Sequence, residues 1–291
     1  MKLRQWLRGL LLLLSALVLP GTAVPAAPAT PAVPGAPVDA VFRIGVAPHS
    51  SARVILEMYQ PLREHLESRL GRRVEIVTAP DFTEFARRAM AQQYDIAITT
   101  GHQARLLESD ARYLPLLTYR AEFKSVAVVA ADSRYQRVQD LAGTTVIGLS
   151  PSSQVTLWGR HWLYRNAVDA DVIYVSASDS LGQRVIRGEG SAGFMSLANY
   201  QNMPAALRDK LRVLAESLPM AGRVYVLNAR HAREKEAMLA TLGHFAATPA
   251  AKQYFERYKL EGYRALEPRE LVQMEPYANE VRQVLRQQPD R

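Results

Sequence analysis

The chain has 291 residues, a net charge of +8, six histidines and no cysteine. The missing cysteine excludes disulfides, thiolate metal sites, cysteine nucleophiles and a lipid anchor on a cleavage-site cysteine. Basic residues are scattered and interleaved with acids, Arg72-Arg73 and Arg87-Arg88 being the densest pairs, so the concentrated basic face or stacking motif of a nucleic-acid binder is not found.

Lys2, Arg4 and Arg8 form a short positive start, with no acidic residue before Asp39. Gly9 to Leu19 is an apolar run, Pro20-Gly21 breaks it, and small residues follow in Thr22-Ala23 and Val24-Pro25-Ala26. This order predicts a secretory signal peptide over residues 1–26. Its run of eleven residues falls short of the roughly 20 apolar residues that cross a bilayer. The segment supplies three of the positive charges, so its removal leaves +5. Residues 27–39, mostly Ala, Pro and Val, read as an extended tether with little to bury.

Strand-like and helix-like runs then alternate. Val41 to Val46 predicts a strand, and Ile55, Tyr59, Leu62, Leu66 and Leu70 recur at helical spacing up to Gly71, with Pro61 expected to bend that helix. Val74 to Val77 is a strand, Asp81 to Gln92 a helix opened by the capping-box spacing Asp81/Glu84, and Asp95 to Thr99 a strand. After Lys124 the pattern repeats. Strands are expected at Ser125–Ala130, Thr145–Leu149, Asp171–Val175 and Ser191–Met195, with helices at Ser153–Ala167 and Ser178–Arg187. A late strand, Arg223 to Leu227, precedes three helical segments starting near Ala229, Pro249 and Pro268. The expected fold is α/β with two lobes, each a mostly parallel sheet flanked by helices, and the C-terminal helices packed on the first lobe. Lobe 1 takes residues 40–121 and 226–291, lobe 2 residues 122–225.

In open α/β sheets ligands bind beyond the carboxyl ends of strands, where loops open helices whose first amides lack partners. Three such loops carry polar groups: Pro48-His49-Ser50-Ser51, Thr99-Thr100-Gly101-His102 and Ser150-Pro151-Ser152-Ser153-Gln154. Taken singly, such serines and threonines are as well explained as helix caps. His161, Trp158 and Trp162 read as packing residues. Metal motifs, paired carboxylates and a cofactor fingerprint are all missing. Gly148-Leu149-Ser150-Pro151-Ser152 keeps only the first three positions of a nucleophile elbow.

Several segments together resemble the periplasmic phosphate/phosphite/phosphonate-binding proteins of ABC transporters, which have the type 2 periplasmic-binding fold. They are Phe42-Arg43-Ile44-Gly45-Val46-Ala47-Pro48, Tyr59 to Leu66 with Leu70 to Val74, Ala79-Pro80-Asp81-Phe82, Tyr94 to Ala97, and Asp140-Leu141-Ala142-Gly143-Thr144-Thr145-Val146. The chain departs from that pattern at Phe82, where a tyrosine is usual, and at Ser152 to Thr156, which keeps part of an anion loop's hydroxyls. The resemblance implies that the three loops converge on one interlobe cleft. It also implies that Ser50, Ser51, Thr99, Thr100, His102, Ser152, Ser153 and Gln154 hold a small anionic solute, His102 contributing most if protonated. The implied partner is an ABC permease, with a membrane sensor as the alternative output. The protein is expected to be a periplasmic monomer without cofactor. A rival of another class is an envelope hydrolase using Ser150 or Ser153 with a histidine.

N-terminal sequencing of the protein from its native host should find its first residue between Val24 and Pro28. Recovery of intact Met1 on most of the protein would contradict export with cleavage.

Overall fold

The computed structural model describes residues 41–176 and 178–287. The expected signal peptide and tether therefore lie outside the described residues.

The chain opens with β1 (Phe42–Val46), α1 (Ala52–Leu70), β2 (Val74–Val77), α2 (Phe82–Met90), β3 (Ile96–Thr100), α3 (Gly101–Ala111) and β4 (Leu114–Tyr119). Helix α1 places Ile55, Met58, Tyr59, Leu62 and Leu66 on its buried face and runs unbroken through Pro61. Gly71 then stops it in the left-handed conformation (φ 63°) that glycine adopts without strain. Asp81 caps α2 by accepting from the amides of Thr83 and Glu84. The capping box is only half formed, because the Glu84 carboxylate bonds Arg87 and Arg88 instead.

The chain then crosses into a second sheet, forming β5 (Ser125–Ala130), β6 (Thr145–Gly148), α4 (Gln154–Arg165), β7 (Asp171–Tyr174), α5 (Ser178–Ile186), β8 (Ala192–Ser196), the short α6 (Leu197–Gln201) and α7 (Ala205–Arg208), and β9 (Leu211–Glu216). It returns through β10 (Arg223–Leu227) and ends with α8 (Lys235–Ala247), α9 (Pro249–Arg257), β11 (Tyr263–Arg264) and α10 (Glu275–Gln287). Pro249 sits in the first turn of α9 as expected, but the last helix begins at Glu275, after a 3-10 turn, rather than near Pro268.

The two sheets have the orders β11-β4-β10-β3-β1-β2 and β7-β6-β8-β5-β9. Both are mixed rather than mostly parallel. In the first, β1 pairs β2 and β3 in parallel, while β10 runs antiparallel between β3 and β4. In the second, β6 pairs β7 and β8 in parallel, while β5 lies antiparallel between β8 and β9. The physical reason is the double crossing: the strand that enters each lobe from the other comes in against the direction set by its βαβ units. Strand β10 joins the first sheet over its whole length, so Arg223, Val224 and Tyr225 stand in that sheet, ahead of the boundary expected at residue 226.

The crossing segments touch through a bridge between Phe123 and Met220. One apolar core lies under α1, α8 and α9, with Phe42, Ile44, Leu62, Leu66, Leu242 and Tyr254. Another starts under α2 and α3 and continues into the second sheet, including Phe85, Leu107, Val126 and Phe194. Helix α10 packs on α3 through Arg105–Glu275 (2.5 Å) and Arg282–Asp110 (2.7 Å). It also meets lobe 2, where Tyr277 stacks on His161 of α4 and Glu280 pairs with the same ring, so the last helix serves both lobes. Trp158 and Trp162 stack on each other and meet Phe194 edge-on, as packing residues.

Asp95 ties lobe 1 together just before β3. Its carboxylate accepts from the Arg43 amide (2.7 Å), from Arg230 (2.6 and 2.9 Å) and from His231 Nε2 (2.6 Å). Burial by itself would raise its pKa, but the bonds from His231, the Arg43 amide and Arg230 outweigh burial and hold it below the ordinary 3.8. Asp95→Asn should lower stability at pH 7 by about 1.5–3 kcal/mol in urea unfolding. That stabilisation is present above the ordinary carboxylate pKa and is lost as the pH falls below it, so wild type and variant should converge in acid.

Candidate functional site

The strand ends of both sheets face each other across the crossing. Antiparallel pairing sets Arg223 at the start of β10 directly opposite Thr100 at the end of β3. Directly paired residues project to the same face, and both line a cavity between the lobes together with His49, Phe82, Phe123, Leu149, Ser153, Gln154, Val155, Ser196 and Asn199. Its volume is ≈ 20 Å³, space for about one water. Larger clefts of ≈ 860 and ≈ 580 Å³ open beside the crossing segments, lined by hinge residues and by the C-terminal region. The small cavity is the candidate site, because the strand ends and helix starts converge there.

Of the expected residues, Thr100, Ser153 and Gln154 line this cavity. Ser153 is also the N-cap of α4, its hydroxyl donating to Thr156 Oγ1 (2.7 Å) and accepting from the Thr156 amide (3.4 Å). The first amides of α4, on Gln154 and Val155, stay free of intrahelical partners at the cavity wall. Thr99 does not reach the cavity. Side chains alternate along a strand, so its hydroxyl turns into lobe 1 and donates to Gln103 (2.8 Å). Ser50 and Ser51 do not line it either. Ser51 caps α1, while His49, one residue before Ser50, faces the cavity in their place.

His102 and Ser152 work across the seam between the lobes. His102 Nε2 donates to the Ser152 carbonyl (2.9 Å), and Nδ1 lies 3.1 Å from both Thr100 Oγ1 and Gln154 Oε1. Ser152 Oγ meets Thr83 Oγ1 of lobe 1 at 2.8 Å. Burial drives the His102 pKa down to about 4, against the upward pull of its bonds to Ser152 and Gln154. The ring is therefore neutral at physiological pH and acts as a contact between lobes, not as the protonated anion partner expected from the sequence. A second seam contact runs from Asn199 Nδ2 to the His49 carbonyl (2.9 Å), with Ser178 beside it. Gly101, at the start of α3, is needed here because a Cβ would lie 2.4 Å from Ala221 of the return crossing.

Arg223 and Asn199 were not singled out in the sequence. The available signal was modest: an arginine opening the strand that follows a crossing segment. Behind Arg223 lies a set of buried tyrosines, with Tyr119 bonded to Tyr225 (2.7 Å) and to Tyr254, and Tyr225 bonded to Tyr263 (2.9 Å). Burial pushes the pKa values of Tyr119, Tyr225, Tyr254 and Tyr263 upward, so these phenols remain neutral. Among the described residues no carboxylate pairs with Arg223, whose guanidinium lies 3.9 Å from Met58 Sδ and beside the Tyr59 hydroxyl. The arrangement thus presents one uncompensated cation, two free helix amides and short polar side chains to an enclosed space. That set suits an oxyanion.

A family model described as ABC transporter, phosphonate, periplasmic substrate-binding protein matches residues 44–271. The chain belongs to this family. Solved structures of the same fold include XAC2383 from Xanthomonas citri bound to chloride, 21% identical over 84% of this chain and 99% of that one, with a TM-score of 0.71. PhnD1 from Prochlorococcus marinus, in complex with methylphosphonate, is 16% identical over 83% of this chain and 98% of that one, with a TM-score of 0.72. PA3383 from Pseudomonas aeruginosa, a binding-protein component of an ABC phosphonate transporter, is 16% identical over 84% and 88%, with a TM-score of 0.72. A comparison with curated proteins finds no match. The phosphonate-family protein is therefore a solute-binding component of the ABC-transporter class, with the two-lobed α/β architecture of type 2 periplasmic-binding proteins.

In the closed form, an NMR titration should find the His102 ring neutral until the pH approaches about 4. Opening would return the ring to water and to its ordinary 6.5, so lowering the pH from 6.5 toward 4 should favour the open form. Small-angle scattering should record an expansion over that range, and His102→Gln should reduce it, leaving the part that buried His49 contributes. Titration of His102 near 6.5 in the closed protein would remove it from the seam.

Proposed function

We propose that the protein is exported to the periplasm and, as a monomer, captures a small oxyanion of the phosphonate or phosphite class between its lobes for presentation to an ABC permease. One observation carries this reading: the part-buried guanidinium of Arg223 has no carboxylate partner among the described residues and faces the interlobe cavity beside the start of α4. A cation left unbalanced in such a place is stabilised most by a ligand anion. The solved complex of a fold neighbour with methylphosphonate supports the same ligand class. A cavity of ≈ 20 Å³ is smaller than any tetrahedral oxyanion, so entry requires the lobes to part and closure to follow.

The hydrolase alternative would need a serine hydroxyl held against a histidine. Both nitrogens of His102 are engaged elsewhere, Nε2 with a carbonyl, and Ser153 Oγ donates to Thr156. Among the described residues Ser150 Oγ meets only Ser152 Oγ, at 3.3 Å, so these hydroxyls structure the loop rather than form an activated nucleophile.

Calorimetric titration of methylphosphonate should give saturable binding to the wild type and binding weaker by roughly 30-fold or more to Arg223→Gln, the cost of removing one partner of a desolvated charge pair. Circular dichroism and thermal unfolding would establish that the variant is folded. Equal affinity in the variant, or no binding of methylphosphonate and phosphite to the wild type, would overturn the proposal.

A further inference from the structure

His49 adds to the cavity something an anion does not ask for, which is a buried acceptor. Its Nδ1 lies 2.8 Å from the Ala47 carbonyl. A carbonyl only accepts, so Nδ1 carries the ring proton and, in the neutral ring, Nε2 presents a lone pair. Nε2 is buried and has no hydrogen-bond partner among the described residues. Tyr59 meets the His49 ring edge-on (6.3 Å between centroids), and its hydroxyl, set beside the Arg223 guanidinium, is not bonded to Nε2. The charged or titratable groups facing His49 among the described residues are Arg223 from β10 and Tyr59 from α1. Ser178 and Asn199 approach only its main-chain oxygen. Burial first, and the Arg223 charge second, push the His49 pKa well below 6.5, which keeps the ring neutral.

An unpaired acceptor in a closed site calls for a ligand that brings a hydrogen. Two kinds of ligand hydrogen are available, on an ammonium group or on a protonated oxygen. An ammonium at this position would face the uncompensated Arg223 guanidinium and be repelled. A neutral hydroxyl attached to an anionic centre fits both neighbours. Resting on the oxyanion reading above, we propose that the site selects protonated oxyanions. The P–OH of a hydrogen-phosphonate monoanion donates to His49 Nε2 while its charged oxygens accept from Arg223 and from the first amides of α4. A sulfonate has the same tetrahedral shape and the same single charge but no hydrogen to give, so it leaves Nε2 unpaired.

The test compares methylphosphonate with methanesulfonate on the whole protein by calorimetry between pH 6 and pH 9. Methanesulfonate should bind roughly 5- to 150-fold more weakly than methylphosphonate at pH 6, the effect of one buried acceptor left without a donor. Methylphosphonate affinity should fall by up to about tenfold per pH unit once the pH passes its second ionisation, because the monoanion is then depleted. His49→Phe keeps a ring and removes the acceptor, so it should narrow the gap between the two compounds. Equal binding of both compounds to wild type, or methylphosphonate affinity that does not change from pH 6 to pH 9, overturns the selection rule. In that case the loss of binding in Arg223→Gln would still uphold oxyanion capture. Binding of neither compound overturns the oxyanion reading and this inference with it.

Discussion

The return of the chain as β10, antiparallel between β3 and β4, decides where the rest of this protein must be. That single insertion closes the first sheet and brings the second crossing back beside the first. It also sets Arg223 across from Thr100 at the sheet's working edge. Everything that faces the cavity is positioned relative to this edge. Thr100 and Arg223 share its face, Thr99 and Val224 turn to the other, and the packing of Ala221 against Gly101 brings the return crossing into contact with α3. The buried tyrosines behind Arg223 support it with neutral groups, so none of its charge is cancelled from below.

Two histidines near this edge show how burial gives one residue type two tasks. Both rings lose water, and burial lowers both pKa values. His102 donates from Nε2 to the Ser152 carbonyl of the opposite lobe, its Nδ1 can accept from the Thr100 hydroxyl, and the neutral ring becomes a contact between the lobes. His49 spends one nitrogen on the Ala47 carbonyl beside it and keeps the other for the cavity. The difference comes from which loop faces the partner lobe, since the intrinsic chemistry of the rings is the same.

The seam is built from neutral hydrogen bonds: His102 to Ser152, Thr83 to Ser152 and Asn199 to the His49 carbonyl. Each such bond contributes only about 0.5–1.5 kcal/mol net. Beneath these bonds one apolar core runs from under α2 and α3 into the second sheet, so any opening of the lobes has to pivot on that core rather than break it. Helix α10 touches both lobes, through Glu275 on Arg105 and Tyr277 on His161.

Local sequence determined the alternation of strands and helices, the caps at Ser51, Asp81 and Ser153, and the loops whose polar side chains suit ligand contacts. These are short-range properties, since residue spacing, glycine and capping side chains act within a turn or two. Strands β4 and β9 were not legible. Leu114 to Tyr119 carries Pro115 and a run of leucines, and Leu211 to Glu216 alternates with charges, so neither has the composition of a strand away from its neighbours. Within the site loops, sequence pointed to Thr100, Ser153 and Gln154, but it could not separate them from Thr99, Ser50 and Ser51. That separation depends on strand register and on which side of a loop meets the opposite lobe. Arg223 and Asn199 depend on tertiary structure: they are far along the chain from the cavity's lobe 1 loops and reach them only because the return crossing and α6 are folded against the first lobe. The sequence by itself therefore determined the class of fold and the loops that matter. Tertiary structure decided which side chains face the ligand space and which of them stay charged, because register and desolvation exist only once distant segments have met.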